Sequence, residues 1–174
     1  FKALTWVYAG DPKKAIATLD AHVANIDKLG AGRDQVLNAK VFALTNLAQI
    51  GMNSGLFDDA QRALAQRATL ARENAKLVGT PAFSNIQESL IAFWDGQLAA
   101  WRGDYKTAAA LAKKNAELVA NENNPRKLEG YHELLALIEL RKKNYQKAVA
   151  EYQQSDLTQL RNKYQLAQAL EGAG

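Results

Sequence analysis

The sequence predicts an all-α protein built from antiparallel helix pairs repeated in tandem. Three observations lead there. The 174 residues include 32 Ala and 23 Leu against 7 Val and 6 Ile, with 3 Pro and no Cys. Ala and Leu are strong helix formers, and the β-branched residues that favour strands are scarce. Glycine-centred turns punctuate the chain at intervals that suit helices. Small residues then recur at fixed offsets from those turns.

The elements follow in order. Phe1 to Ala9 reads as a helix end, closed by Gly10-Asp11-Pro12, in which Asp11 caps and Pro12 opens the next helix. That helix is expected to run from Pro12 to Leu29 and to end at Gly30. A long helix from Asp34 to Asn53 carries Leu37, Val41, Leu44, Leu47 and Ala48 along one face, and Ser54-Gly55 breaks it. The next spans Phe57 to Leu77, before Gly79-Thr80-Pro81. Ser84 and Gln87 have capping-box spacing, which starts a helix at Ser84 that reaches Trp101. Gly103-Asp104 turns into a helix reaching Val119. After the Asn121–Pro125 loop, helices are expected over Arg126–Lys142 and Tyr145–Gln153. Asp156 is expected to cap a last helix ending at Leu170.

Four helix–turn–helix units align when anchored on Gly10, Gly55, Gly103 and Lys143. Seven residues before the anchors stand Ala3, Ala48, Gly96 and Ala136; five after stand Ala15, Ala60, Ala108 and Ala148. Phe57, Tyr105 and Tyr145 follow the last three anchors by two residues, and Leu19, Leu64, Ala112 and Tyr152 follow the four by nine. With Gly174 as a fifth anchor, Ala167 takes the same place as Ala136. Two antiparallel helices approach closely only where side chains at the crossing are small, so these alanines are expected to set the helix-pair distance.

The strings Gly103-Asp104-Tyr105-Lys106-Thr107-Ala108 and Asn144-Tyr145-Gln146-Lys147-Ala148 resemble the inter-helix turn of the tetratricopeptide repeat family. The resemblance covers almost the whole chain, in a long and irregular variant of the kind found in bacterial regulators and scaffold proteins. Leu44, Ala92 and His132 stand where the family has a Trp, and anchors are 45, 48, 40 and 31 residues apart. The resemblance implies a right-handed α-solenoid forming one array over 1–174. Its units cover 1–30, 34–79, 82–120 and 125–155, with a terminal helix at 156–172. The chain opens at Phe1 inside an apolar helical pattern and stops at Gly174 where a turn is expected, so a piece of a longer protein is expected.

By the same resemblance, the first helix of each pair lines a concave groove. Its candidate partner-binding residues are Phe42, Thr45, Gln49 and Asn53; Leu90, Phe93, Gln97 and Trp101; Glu133, Leu137 and Arg141; and Arg161, Tyr164 and Gln168. Amides can pair with an extended backbone, and aromatics can anchor side chains. Leu90, Phe93, Leu137 and Tyr164 have a second reading as core between repeats. The family's clamp for a C-terminal carboxylate is not expected, because its places hold Thr45 and Gln49, Phe93 and Gln97, Glu133 and Leu137.

No catalytic, cofactor or metal site is expected. Without Cys, disulfides and thiolate sites are excluded, and the composition suits the cytoplasm or the periplasm. His22 and His132 lack companions at ligand spacing. Asp58-Asp59 suits the first turn of a helix. No glycine run has a phosphate- or dinucleotide-binding pattern. Trp6 and Trp101 read as packing. The net charge of +4 is dispersed, and Arg141, Lys142, Lys143 and Lys147 read as a solvated helix end, so nucleic acid is not an expected partner. No stretch is apolar and long enough to span a membrane. A non-enzymatic scaffold that binds a peptide or partner protein in its groove is therefore expected. The alternative is a sensor or self-association module of a larger signalling or transport protein, joining copies through open array ends.

Overall fold

The computed structural model describes residues 2–174; Phe1, expected at the head of the first helix, lies outside them. The described residues form nine α-helices and no strand: α1 Lys2–Tyr8, α2 Pro12–Asn25, α3 Arg33–Asn53, α4 Phe57–Val78, α5 Pro81–Trp101, α6 Tyr105–Leu118, α7 Glu129–Arg141, α8 Tyr145–Tyr152 and α9 Leu160–Ala173. A short 3₁₀ turn, Ile26–Leu29, prolongs α2 to the expected end. The chain divides into two compact units, the first ending at Gln87 and the second beginning at Glu88. Inside each unit, helices pack on their sequence neighbours: α1 on α2, α2 on α3 and α3 on α4 in the first, and α6 through α9 in succession in the second.

The anchors define one turn used four times. Gly10, Gly55, Gly103 and Lys143 all have left-handed backbone, with φ of 77°, 72°, 83° and 64°. In each turn the anchor N–H donates to the carbonyl three residues back, and the next residue's N–H to the carbonyl five back. Examples of the second bond are Asp11 to Trp6 and Asn144 to Glu139, at 2.9 and 2.8 Å. Together these bonds are a Schellman motif, which ends one helix and aims the chain back along it. The following helix starts at once. Ala15, Ala60, Ala108 and Ala148 each donate to the carbonyl of the residue just after the anchor.

Those four alanines are fully buried. Ala48 and Ala136, seven before their anchors, are equally buried, and Gly96 is buried too. In the second unit Ala136, Ala148, Tyr152 and Ala169 form one cluster, so the small residues of α7 and α8 do meet where the helices cross. A Cβ placed on Gly96 would lie 3.1 Å from the Leu134 methyls, which shows how tight the spacing is. Ala167 differs: it is exposed, because no helix follows α9 among the described residues to cover it.

Three helix starts differ from expectation. α5 begins at Pro81, with Thr80 as its cap: the Thr80 Oγ1 accepts from Phe83 N–H at 3.4 Å, and Ser84 lies inside the helix. Proline needs no N–H partner and fits the first turn, which outweighs the Ser84–Gln87 pattern. α7 begins at Glu129, because 125–128 is a turn in which Asn124 Oδ1 accepts from Arg126 N–H at 2.9 Å. α9 begins at Leu160, not beside Asp156. Asp156 instead closes a local turn, accepting from the N–H of Thr158 at 2.9 Å and from its hydroxyl.

Candidate functional site

The first unit holds a cleft of about 600 Å³ between α1, α2 and α3. Helical spacing on α3 places Phe42, Asn46, Gln49 and Asn53 along one side. Leu4 and Val7 of α1, with Leu19 and His22 of α2, form the other sides. Phe42 is 71% exposed and Leu4 48%, high values for apolar side chains, so this surface is apolar and open. The Asn46 amide is turned back to the Phe42 carbonyl, at 3.0 Å.

Three of the four expected α3 residues, Phe42, Gln49 and Asn53, thus line one cleft. Thr45 does not. It is half-buried, and its hydroxyl donates to the Val41 carbonyl and accepts from the buried Arg67 Nε at 3.0 Å. Leu4, Val7, Leu19, His22 and Asn46 line the cleft too, although none is among the expected groove residues. Their signal was available, since Leu4 and Val7 stand six and three residues before an anchor on a first helix.

In the second unit, several expected groove residues meet one another rather than solvent. Phe93 is 6% exposed and packs edge-to-face on Trp94, with ring centres 5.0 Å apart. Gln97 and Glu133 are also buried. The Glu133 carboxylate accepts from Gln97 at 2.9 Å, Arg161 at 2.7 Å and Asn162 at 2.8 Å, joining α5, α7 and α9. Burial pushes the Glu133 carboxyl up, while Arg161, Asn162 and Gln97 pull it down. The Arg161 guanidinium lies over the Trp94 ring at 5.3 Å. Beside this network, Tyr152 donates to Gln165 Oε1 at 3.0 Å, and burial pushes its phenol up. Two atoms of the network, Arg161 Nε and Asn162 Oδ1, are buried without a hydrogen-bond partner. Leu90 and Tyr164 remain exposed, and Gln168 reaches the Tyr164 hydroxyl at 3.4 Å.

A second cleft, of about 560 Å³, brings together the expected residues Trp101, Arg141 and Gln168. Leu137 lies at its floor but is 1% exposed and packs with Ala99, Ala100, Ala108 and Ile138, so it is core and not groove surface. Leu140, Lys143, Tyr145, Gln165, Glu171 and Gly172 complete its lining. The Arg141 guanidinium sits over the Trp101 ring, 4.5 Å from its centre. Gly172 lets α9 lie against Tyr145, whose ring would stand 2.5 Å from any Cβ there.

Counted from the anchors, the two clefts are the same place in the repeat. Leu4 and Leu137 stand six residues before Gly10 and Lys143, and Val7 and Leu140 three before. Gln49 and Gln168 stand six before Gly55 and Gly174, and Asn46 and Gln165 nine before. Each cleft therefore lies between the first helix of one pair and the helix that opens the next, with two amides on the second wall.

Neither histidine gathers further ligands. His22 lines the first cleft, and His132 Nδ1 pairs with Glu151 at 2.8 Å. Among the described residues, no three His, Cys, Asp or Glu are placed to hold a metal ion, and no helix is long and apolar enough to cross a membrane. Comparisons with protein-family models, with curated proteins and with solved structures give no match.

Proposed function

We propose that the chain is a non-enzymatic interaction module of tetratricopeptide-like architecture, its helix pairs stacked as one right-handed solenoid, which binds a peptide or partner protein along its first helices. The observation that carries this reading is the pair of repeat-equivalent clefts. A closed packing arrangement would fill such places with side chains, yet in the first the exposed Phe42 stands over open apolar surface. An apolar side chain of the partner would seat against Leu4, Val7 and Phe42. Gln49 and Asn53, at the same wall, would pair with its backbone.

The test is selection of short random peptides on the immobilised chain, repeated with Phe42→Asp. Enrichment of peptides with an apolar anchor, lost in the variant while the thermal melt is retained, supports the reading. No enrichment, or enrichment that Phe42→Asp leaves unchanged, overturns this cleft as the site.

One observation favours a second reading, self-association as part of a larger signalling or transport protein. On α9, Leu160, Tyr164 and Leu170 are 80%, 67% and 52% exposed. Light scattering over a concentration series, with Tyr164→Lys as the variant, decides it: mass that rises with concentration and reverts in the variant supports association through α9.

A further inference from the structure

The two clefts share a place in the repeat but not a chemistry. The first is walled by apolar and amide side chains, with His22 its one ionisable member. The second carries Arg141 and Lys143. A smaller hollow of about 370 Å³ shares Lys143, Tyr145 and Gly172 with it and adds Lys147. The one acid on these walls is Glu171, so cations outnumber it three to one.

Pairing within the fold accounts for many other cations. Arg33, Lys40, Arg62, Arg126, Lys142 and Arg161 all contact carboxylates. Arg141 instead rests on the Trp101 ring, and neither it nor Lys143 makes an ion pair among the described residues. A guanidinium held over an indole still has N–H groups to donate and gives up side-chain freedom before any ligand arrives. Leu140 and Tyr145, both half-buried, supply apolar surface within the same cleft.

We infer that the second cleft takes a peptide segment in which an Asp or Glu side chain adjoins an apolar one. The carboxylate would pair with Arg141 and Lys143, and the apolar neighbour would lie on Leu140 and Tyr145. This rests on the peptide-binding reading and adds the partner's charge to it.

The experiment is the same peptide selection on the full chain, scored for acidic content and followed by titration of the best peptide and its Asp→Asn or Glu→Gln counterpart. The acidic peptide should bind at least about tenfold more tightly than its amide counterpart, as expected for loss of one charge-assisted contact. Arg141→Gln should weaken it by a similar factor, added salt should weaken it further, and Lys114→Gln on α6 should leave it unchanged. Lys143→Gly is the informative variant, because it relaxes the left-handed turn. Weaker acidic-peptide binding in a protein at least as stable excludes a merely structural effect. Enriched peptides without acids, or acidic peptides indifferent to Arg141→Gln and Lys143→Gly, overturn the inference and leave peptide binding standing. No enrichment at all overturns both.

Discussion

At the residue scale, the most informative side chain is one in an unfavourable place. Lys143 holds φ of 64°, where its three counterparts are glycines. An L-residue with a Cβ pays roughly 1 kcal/mol or more for that conformation, and glycine does not. Lys143→Gly should therefore raise stability by about 0.5–1 kcal/mol, read as a higher urea midpoint at unchanged slope. Asp156 makes the matching case for charge. The Thr158 hydroxyl and N–H, with Gln159 and Arg126, hold its carboxyl down at about 2, against an ordinary 3.8. Because the folded value is the lower one, the stabilisation is complete above the ordinary value and is lost as pH falls toward about 2. Asp156→Asn should lower stability at neutral pH and flatten the acid limb of a plot of urea midpoint against pH.

At the element scale, α9 is held by apolar packing at Ala169 and Leu166 and by a few polar contacts that would fail together. Glu133→Ala removes the acceptor shared by Gln97, Arg161 and Asn162, and leaves Arg161 without its carboxylate. Breaking a buried pair from one side costs roughly 3–5 kcal/mol, and less here because Arg161 keeps 28% of its side chain exposed. Hydrogen exchange should quicken most in α9, with the Leu160–Ala173 amides losing protection ahead of those in α6. This network was not legible in the sequence, although Gln97, Glu133 and Arg161 were all singled out. Nothing local tells that residues 36 and 28 positions apart will meet, and it is the family resemblance that assigns them to an open groove. The helices were legible because each is punctuated locally, as at Asp11-Pro12, where the Asp11 carboxylate accepts from Lys14 N–H at 2.9 Å. The misplaced starts at Ser84 and Asp156 have different causes: Pro81 opens α5 one residue after the Thr80 cap, and Asp156 is used in a local turn with Thr158. In the clefts, Phe42, Gln49, Asn53, Trp101, Arg141 and Gln168 were expected from the family resemblance, which implies that the first helices line a groove. Val7 and Leu140 were missed because apolar residues there read equally well as core.

At the scale of the whole molecule, packing is local in sequence, so damage should stay local. Ala148→Leu forces extra methylenes into the fully buried crossing of α7 and α8, at a cost of about 1–3 kcal/mol. Exchange mass spectrometry should show that loss across α7–α9, while α2–α4 in the first unit keep their protection. Uniform loss over both units would show that the 174 residues unfold as one cooperative body. Contacts between sequence neighbours also keep loop-closure costs small, which favours fast folding.

The four like turns have a consequence for how such a chain can change. Their hydrogen bonds are made by backbone, and they recur unaltered while the intervals between them run 45, 48 and 40 residues. The molecule holds its joints constant and lets its struts vary, so drift in length collects at the ends of helix pairs remote from the anchors. A short Gly-Ser insertion between Asn123 and Asn124, in an exposed stretch outside any helix, should leave the melting temperature nearly unchanged. The same insertion between Gly103 and Asp104 should unfold the pair it joins. A lineage of such proteins would then be traced by the spacing of small residues around each joint, long after the rest of the sequence has diverged.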